Sequence, residues 1–175
     1  MKRLYSSLIV MVVFVLFAGL SGTAEAIDLR SWDQRIIDPA RFLLRFGNTA
    51  VLDRETQLLW ERNPDNAPRT WSIAQSLCSA GAVGDRRGWR LPTVQELASL
   101  VDPGNESPAL PIGHPFKLIP KQEDGFFWSA TTSASNTSDA WQVRFDVGRV
   151  LINLKSRNGF RWCVRGGQGS VIGGG

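Results

Sequence analysis

One stretch constrains this chain more than any other: Gly88-Trp89-Arg90-Leu91-Pro92-Thr93-Val94-Gln95-Glu96-Leu97. It reads as a short buried segment that a proline halts and hands to a helix. Thr93 is placed to accept a hydrogen bond from the backbone N–H three residues on, and Glu96 to reach back to the N–H of Thr93. This reciprocal capping box satisfies two donors that a helix start otherwise leaves unpaired. Val94, Leu97, Leu100 and Val101 recur at helical spacing and make one face apolar. Pro103 and Gly104 end the pattern. The stretch holds no nucleophile, metal-ligand set or phosphate loop, so it reads as scaffold.

The chain begins with a basic Met1-Lys2-Arg3, an apolar run from Leu8 to Leu20 broken only by Gly19, and a small-residue Ala24-Glu25-Ala26. That order is a secretory signal peptide over residues 1–26, and the run is too short to cross a bilayer. The alternative is an uncleaved anchor, which would be the only membrane contact. A lipoprotein signal is ruled out because the first cysteine is Cys78. The expectation is therefore an exported protein: periplasmic, on the outer surface or secreted. Removal of the leader leaves about 150 residues, enough for one domain with a sizeable core. The formal charge of +4 falls only to about +3, too little to decide a partner by itself.

Cys78 and Cys163 are the only two cysteines. In an oxidising compartment a single disulfide is the default, and closing a loop of about 85 residues would constrain the unfolded chain by ~4.5 kcal/mol. A reactive thiol is the functional alternative.

Residues 27–40 form an N-terminal segment in which Trp32, Ile36 and Ile37 share one face of a short helix before Pro39. Arg41 to Phe46 reads as a strand, and Ala50–Leu52 with Gln57–Trp60 as a hairpin. Asn63 to Pro68 reads as a loop. Trp71, Ala74, Leu77 and Cys78 mark the apolar face of a helix, followed by a small, polar run with Arg86 and Arg87 exposed. Five prolines between Asp102 and Gly125 forbid a continuous helix or central strand, leaving a long irregular loop region. Beyond it, Phe126–Ser129 opens a C-terminal sheet. Trp141, Val143 and Phe145 alternate with polar residues, Val150–Leu154 returns after a turn, and Phe160, Trp162 and Val164 alternate with Arg161, Cys163 and Arg165. These three segments read as an antiparallel meander. Residues 168–175 read as a flexible Gly-rich tail.

Arg90-Leu91-Pro92-Thr93 with Glu96 resembles a signature shared by the formylglycine-generating fold and the Lcl C-terminal family of bacterial secreted domains. Further pieces of that family's pattern follow in order: Gly47–Asp53, Thr56–Trp60, Trp71, Ala74, Cys78, Gly88–Thr93, Phe127–Thr131, Ala140-Trp141 and Arg161–Gly166. The resemblance spans residues 41–167. It implies an α+β, C-type-lectin-like fold, with two short helices on small antiparallel sheets and a long irregular loop that commonly carries the binding site. Both cysteines sit at family positions, which favours the bridge over the thiol. The paired redox cysteines of the formylglycine-generating enzymes are missing. The resemblance also implies a binding role at the cell surface, since some family members bind sulfated polysaccharides.

Candidate chemistry is sparse. No triad order, H-E-x-x-H, C-x-x-C, dinucleotide fingerprint or P-loop occurs, and no cofactor is expected. The single histidine, His114, lies between Gly113 and Pro115 without ligand companions, so no metal site is expected. Glu123 and Asp124 read as a solvated loop rather than a glycosidase pair. Of the seven tryptophans most belong to the core, with Trp32, outside the family pattern, the foremost sugar-stacking candidate. From Trp141 onward Arg144, Arg149, Lys155, Arg157, Arg161 and Arg165 face a lone Asp146. If the strands are neighbours, Arg144, Arg161 and Arg165, with Arg157 and Lys155, make a basic plate for carboxylate or sulfate groups. The competing expectation is a solvated sheet face balanced by acids such as Asp53, Glu55 or Asp102. Nucleic acid is not an expected partner. The sequence thus points to an exported, non-enzymatic binding domain for a polyanionic glycan or an envelope protein. An enzyme related to the formylglycine-generating fold and a purely structural envelope protein are the alternatives.

Overall fold

A computed structural model of the chain describes residues 41–117 and 125–167. The expected leader, the helix around Trp32, the Glu123-Asp124 pair and the Gly-rich tail lie outside them. The elements run β1 (Phe42–Arg45), β2 (Ala50–Asp53), β3 (Leu58–Glu61), β4 (Asp65–Arg69), α1 (Trp71–Ala80), α2 (Val94–Ala98), β5 (Phe127–Thr132), β6 (Asp139–Arg144), β7 (Arg149–Leu154), β8 (Gly159–Arg161) and β9 (Val164–Arg165). The class is α+β, as expected.

The capping box forms. Thr93 Oγ1 accepts from the Glu96 N–H at 3.2 Å, and Glu96 Oε2 accepts from the Thr93 N–H at 2.8 Å. Leu97 and Leu100 are buried, whereas Val94 and Val101 are only half-buried. The helix stops at Ala98, ahead of Pro103, with the Ser99 hydroxyl donating to the Glu96 carbonyl.

The strands make two sheets, ordered β1-β2-β3-β9 and β4-β8-β5-β6-β7. The first holds the expected hairpin, with Val51 opposite Trp60. Period-two alternation gives the second sheet two buried faces. On one, Phe127, Val143 and Phe160 join Leu97 and Leu100 from the α2 segment and Val51, Leu58 and Trp60 from the first sheet. Trp162 lies at the centre of this cluster, with ring centroids 4.8 Å from Phe116, 5.4 Å from Phe145 and 5.5 Å from Trp60. On the other, Phe126, Trp128 and Ala140 meet Ala74 and Cys78 of α1, with Trp89 and Leu91. Cys78 bonds Cys163 there, with their Cα atoms 5.4 Å apart.

Four expectations are corrected. Residues 65–69 are a strand, not a loop. Asp65 Oδ1 holds the Ala67 N–H at 3.0 Å, and Pro68 is tolerated because β4 lies at a sheet edge, where a missing N–H costs no ladder bond. Leu77 faces outward at 38% exposure, leaving Ala74 and Cys78 as the buried positions of α1.

The remaining two concern the C-terminal strands. The third strand of the expected meander does not return beside β7; β8 crosses over and pairs in parallel with β5, Phe127 opposite Phe160. Gly159 permits this, because a Cβ there would stand 2.1 Å from the Phe126 ring. Arg161 and Arg165 do not share one strand either. The chain breaks at Trp162-Cys163, and β9 joins the other sheet beside β3.

Residues 102–117 contain neither helix nor strand, in keeping with their prolines. They are nonetheless pinned. Ala109 and Ser107 donate their N–H groups to the carbonyls of Phe145 and Asp146, and Leu110 and Phe116 are buried.

Candidate functional site

The motif that organises the sequence does structural work. Arg90 donates to Glu96 Oε2 at 2.8 Å and Oε1 at 2.7 Å, and to the Gly166 carbonyl at 2.8 Å. Its backbone bridges Val164. The start of α2 is thereby tied to the end of the last strand. Burial pushes the Glu96 carboxyl up, but its bonds from Arg90 and Thr93 together outweigh that and hold it below the ordinary range.

The cations of the C-terminal segment divide into two groups. Arg144 is held by both oxygens of Asp146. Arg161 lies 3.3 Å from Glu61 Oε2 and 3.3 Å from Asp65 Oδ2. Burial raises the Glu61 carboxyl, and Arg161 opposes that shift. Among the described residues the other four have no carboxylate within ion-pair distance. Arg165 donates Nε to the Arg87 carbonyl at 2.8 Å. Lys155 Nζ bonds Thr132 Oγ1 at 2.8 Å and the Thr137 carbonyl at 2.9 Å, and sits 4.2 Å above the Trp71 ring. Arg149 and Arg157 are exposed.

Two of these four, with a residue the sequence did not single out, gather at one end of the second sheet. Arg69 at the end of β4 pairs in register with Gly159, two residues beyond Arg157. The first N–H of α1, on Trp71, donates to the Lys155 carbonyl at 3.1 Å. Among the described residues the Arg69 guanidinium reaches only the neighbouring Pro68 carbonyl, at 3.0 Å. Arg69, Lys155 and Arg157 therefore flank the β7–β8 turn, and among the described residues no carboxylate lies within ion-pair distance of them. The signal for Arg69 was its charge, but only the β4–β8 pairing places it here.

Away from that turn, a concavity of about 390 Å³ is walled by Asn48, Thr49, Glu61, Arg62, Val83 and Lys117. Arg62 is a fixed wall, since it donates to the carbonyls of Pro115 and Asn48 at 3.0 and 3.2 Å. Nothing in the linear spacing of these residues announces the cleft. His114 stacks on Phe116, and burial lowers its pKa. Among the described residues no group of three or more His, Cys, Asp or Glu is arranged to hold a metal ion. Trp60, Trp89, Trp128 and Trp162 are fully buried, while Trp71 and Trp141 are half-buried. No helix among the described residues is long and apolar enough to cross a membrane.

A family model described as the Lcl C-terminal domain matches residues 49–165, well over half of the chain. No curated protein matches it.

Proposed function

The chain belongs to the Lcl C-terminal domain family, and from that premise we propose that it is an exported, non-enzymatic, C-type-lectin-like binding domain for acidic or sulfated polysaccharide. The observation that carries the ligand class is the grouping of Arg69, Lys155 and Arg157 around one turn with no carboxylate partner among the described residues. Guanidinium forks match sulfate and carboxylate oxygens in pairs, and an ammonium adds a compact third charge. Arg144 and Arg161, which the sequence also nominated, already spend their charge on Asp146, Glu61 and Asp65. Arg165, beside Arg87, extends the cationic surface elsewhere. The disulfide supports export, because such bonds persist in oxidising compartments. It also supports binding over formylglycine-type chemistry, because both cysteines of the chain are consumed in it.

Binding of this kind is weak and strongly salt-dependent, since exposed charges are screened beyond ~8–10 Å at physiological ionic strength. The test is elution from a sulfated-glycan column. The Arg69→Gln/Arg157→Ser double variant should elute at clearly lower salt than the parent, with a melting temperature nearly unchanged. Elution at the parent's salt concentration would remove the cationic turn as the binding site.

A further inference from the structure

The crossing of β8 to β5 leaves β7 as the open edge of a five-stranded sheet. Six consecutive residues of β7 pair with β6 without a register break, so no bulge turns the edge away. Between Arg149 and Lys155 the strand carries no charge and no proline. Its apolar side chains stand out into solvent: Val150 40%, Leu151 39%, Ile152 42% and Leu154 51% exposed. Such a run on an edge is what soluble proteins ordinarily guard against.

The backbone of that edge is open as well. The Lys155 N–H points inward, donating to the Ser138 carbonyl at 2.9 Å. The Leu154 N–H points the other way and is satisfied only by the Asn153 side chain at 3.0 Å. Antiparallel alternation then turns the N–H and C=O of Val150 and Ile152 outward, ready for another strand.

We propose that β7 pairs antiparallel with β7 of a second copy, across a twofold axis at Leu151. The strand is self-complementary in that register. Val150 meets Ile152 of the other copy through the outward N–H and C=O groups, Leu151 meets Leu151, and Arg149 meets Asn153. Moving the axis to Ile152 would set Arg149 directly opposite Lys155, a like-charge pair that destabilises a sheet. Moving it to Val150 would put Arg149 against Leu151 and Gly148 against Ile152, losing the apolar matches. The patch is one short strand wide, less than the about 800 Å² per partner of a standard stable interface. The dimer is accordingly weak and dilutes apart. It is independent of any glycan.

The test is sedimentation equilibrium of the purified exported protein over a wide concentration range. The mean mass should climb from one copy toward two, and Leu151→Lys, which sets two ammonium groups face to face at the axis, should hold it at one. Because Leu151 is exposed, the Leu151→Lys chain should keep the parent's circular dichroism and melt. Register is read from cysteine variants under mild oxidation: Leu151→Cys should cross-link to itself, and Asn153→Cys, which faces Arg149, should not. A protein that stays monomeric at every concentration overturns the proposal and leaves the edge to a strand of another protein. A dimer indifferent to Leu151→Lys, or one in which Asn153→Cys links as readily as Leu151→Cys, overturns it equally.

Discussion

Replacing Glu96 with Gln tests whether the capping motif holds the fold together or merely decorates it. The Glu96 carboxylate accepts three hydrogen bonds, one from the Thr93 N–H and two from Arg90, at 14% side-chain exposure. Gln keeps the shape and one acceptor oxygen but turns an amide NH₂ toward a guanidinium. A hydrogen bond to a charged partner is worth about 1.5–3 kcal/mol, and half of a lost cap adds about 0.5. The expected cost is therefore about 2–3.5 kcal/mol, a large part of the roughly 5–15 kcal/mol that holds a domain folded. It should appear in urea unfolding as a lower midpoint at unchanged slope. The pH dependence carries a second check. The Glu96 pKa in the fold lies below its ordinary value of 4.5, because Arg90 and Thr93 outweigh the upward push of burial. A depressed carboxylate stabilises fully above its unfolded pKa and loses that stabilisation as pH falls through the folded one. The gap between parent and Glu96→Gln should thus be constant near neutrality and close progressively below pH 4.5. A gap under about 0.5 kcal/mol at pH 7, or one that persists undiminished in acid, would refute the clamp.

Asp53→Ala should cost about 1.5–3 kcal/mol in the same assay, because it takes two charge-assisted bonds of 2.9 and 2.8 Å from the buried Arg41 and leaves it only Glu55 at 3.1 Å and the Ser99 carbonyl at 2.9 Å; a loss under about 0.5 would contradict that account. Gly159→Ala should lower stability by about 1–3 kcal/mol, read from the thermal melt, since its methyl group collides with the Phe126 ring; an unchanged melt would mean that β8 does not pack there. Thiol labelling of the unreduced, denatured protein should find neither cysteine free, and the Cys78→Ser/Cys163→Ser double variant should lose about 2–5 kcal/mol.

What the sequence disclosed follows the range over which each interaction acts. The capping box was legible because it closes within four residues, and the strand alternation because a pleat repeats every two. The partner of a strand is a different kind of fact. Phe160-Arg161-Trp162 alternates equally well beside β7 or beside β5, and the choice falls to Gly159, whose missing Cβ admits the Phe126 ring. The same crossing explains the charges. Period-two spacing told which way Arg161 points relative to Phe160, but not that Glu61, a hundred residues earlier, waits across the gap. Of the acids proposed from sequence as counterweights, Asp53, Glu55 and Asp102, the first two are instead bound to Arg41. Arg144 takes its own near neighbour, Asp146. β4 was hidden by Pro68, and with it the pairing that carries Arg69 to the turn of Lys155 and Arg157. A count of cations along the chain therefore located the basic segment, and only the topology decided which of those cations still hold uncompensated charge. The topology also opens the apolar edge: had β8 followed β7 as a meander, β7 would be covered. One glycine against one phenylalanine thus underlies both the cationic turn and the exposed strand. Gly159→Ala should accordingly disturb glycan retention and self-association together, whereas Arg157→Ser should disturb retention alone.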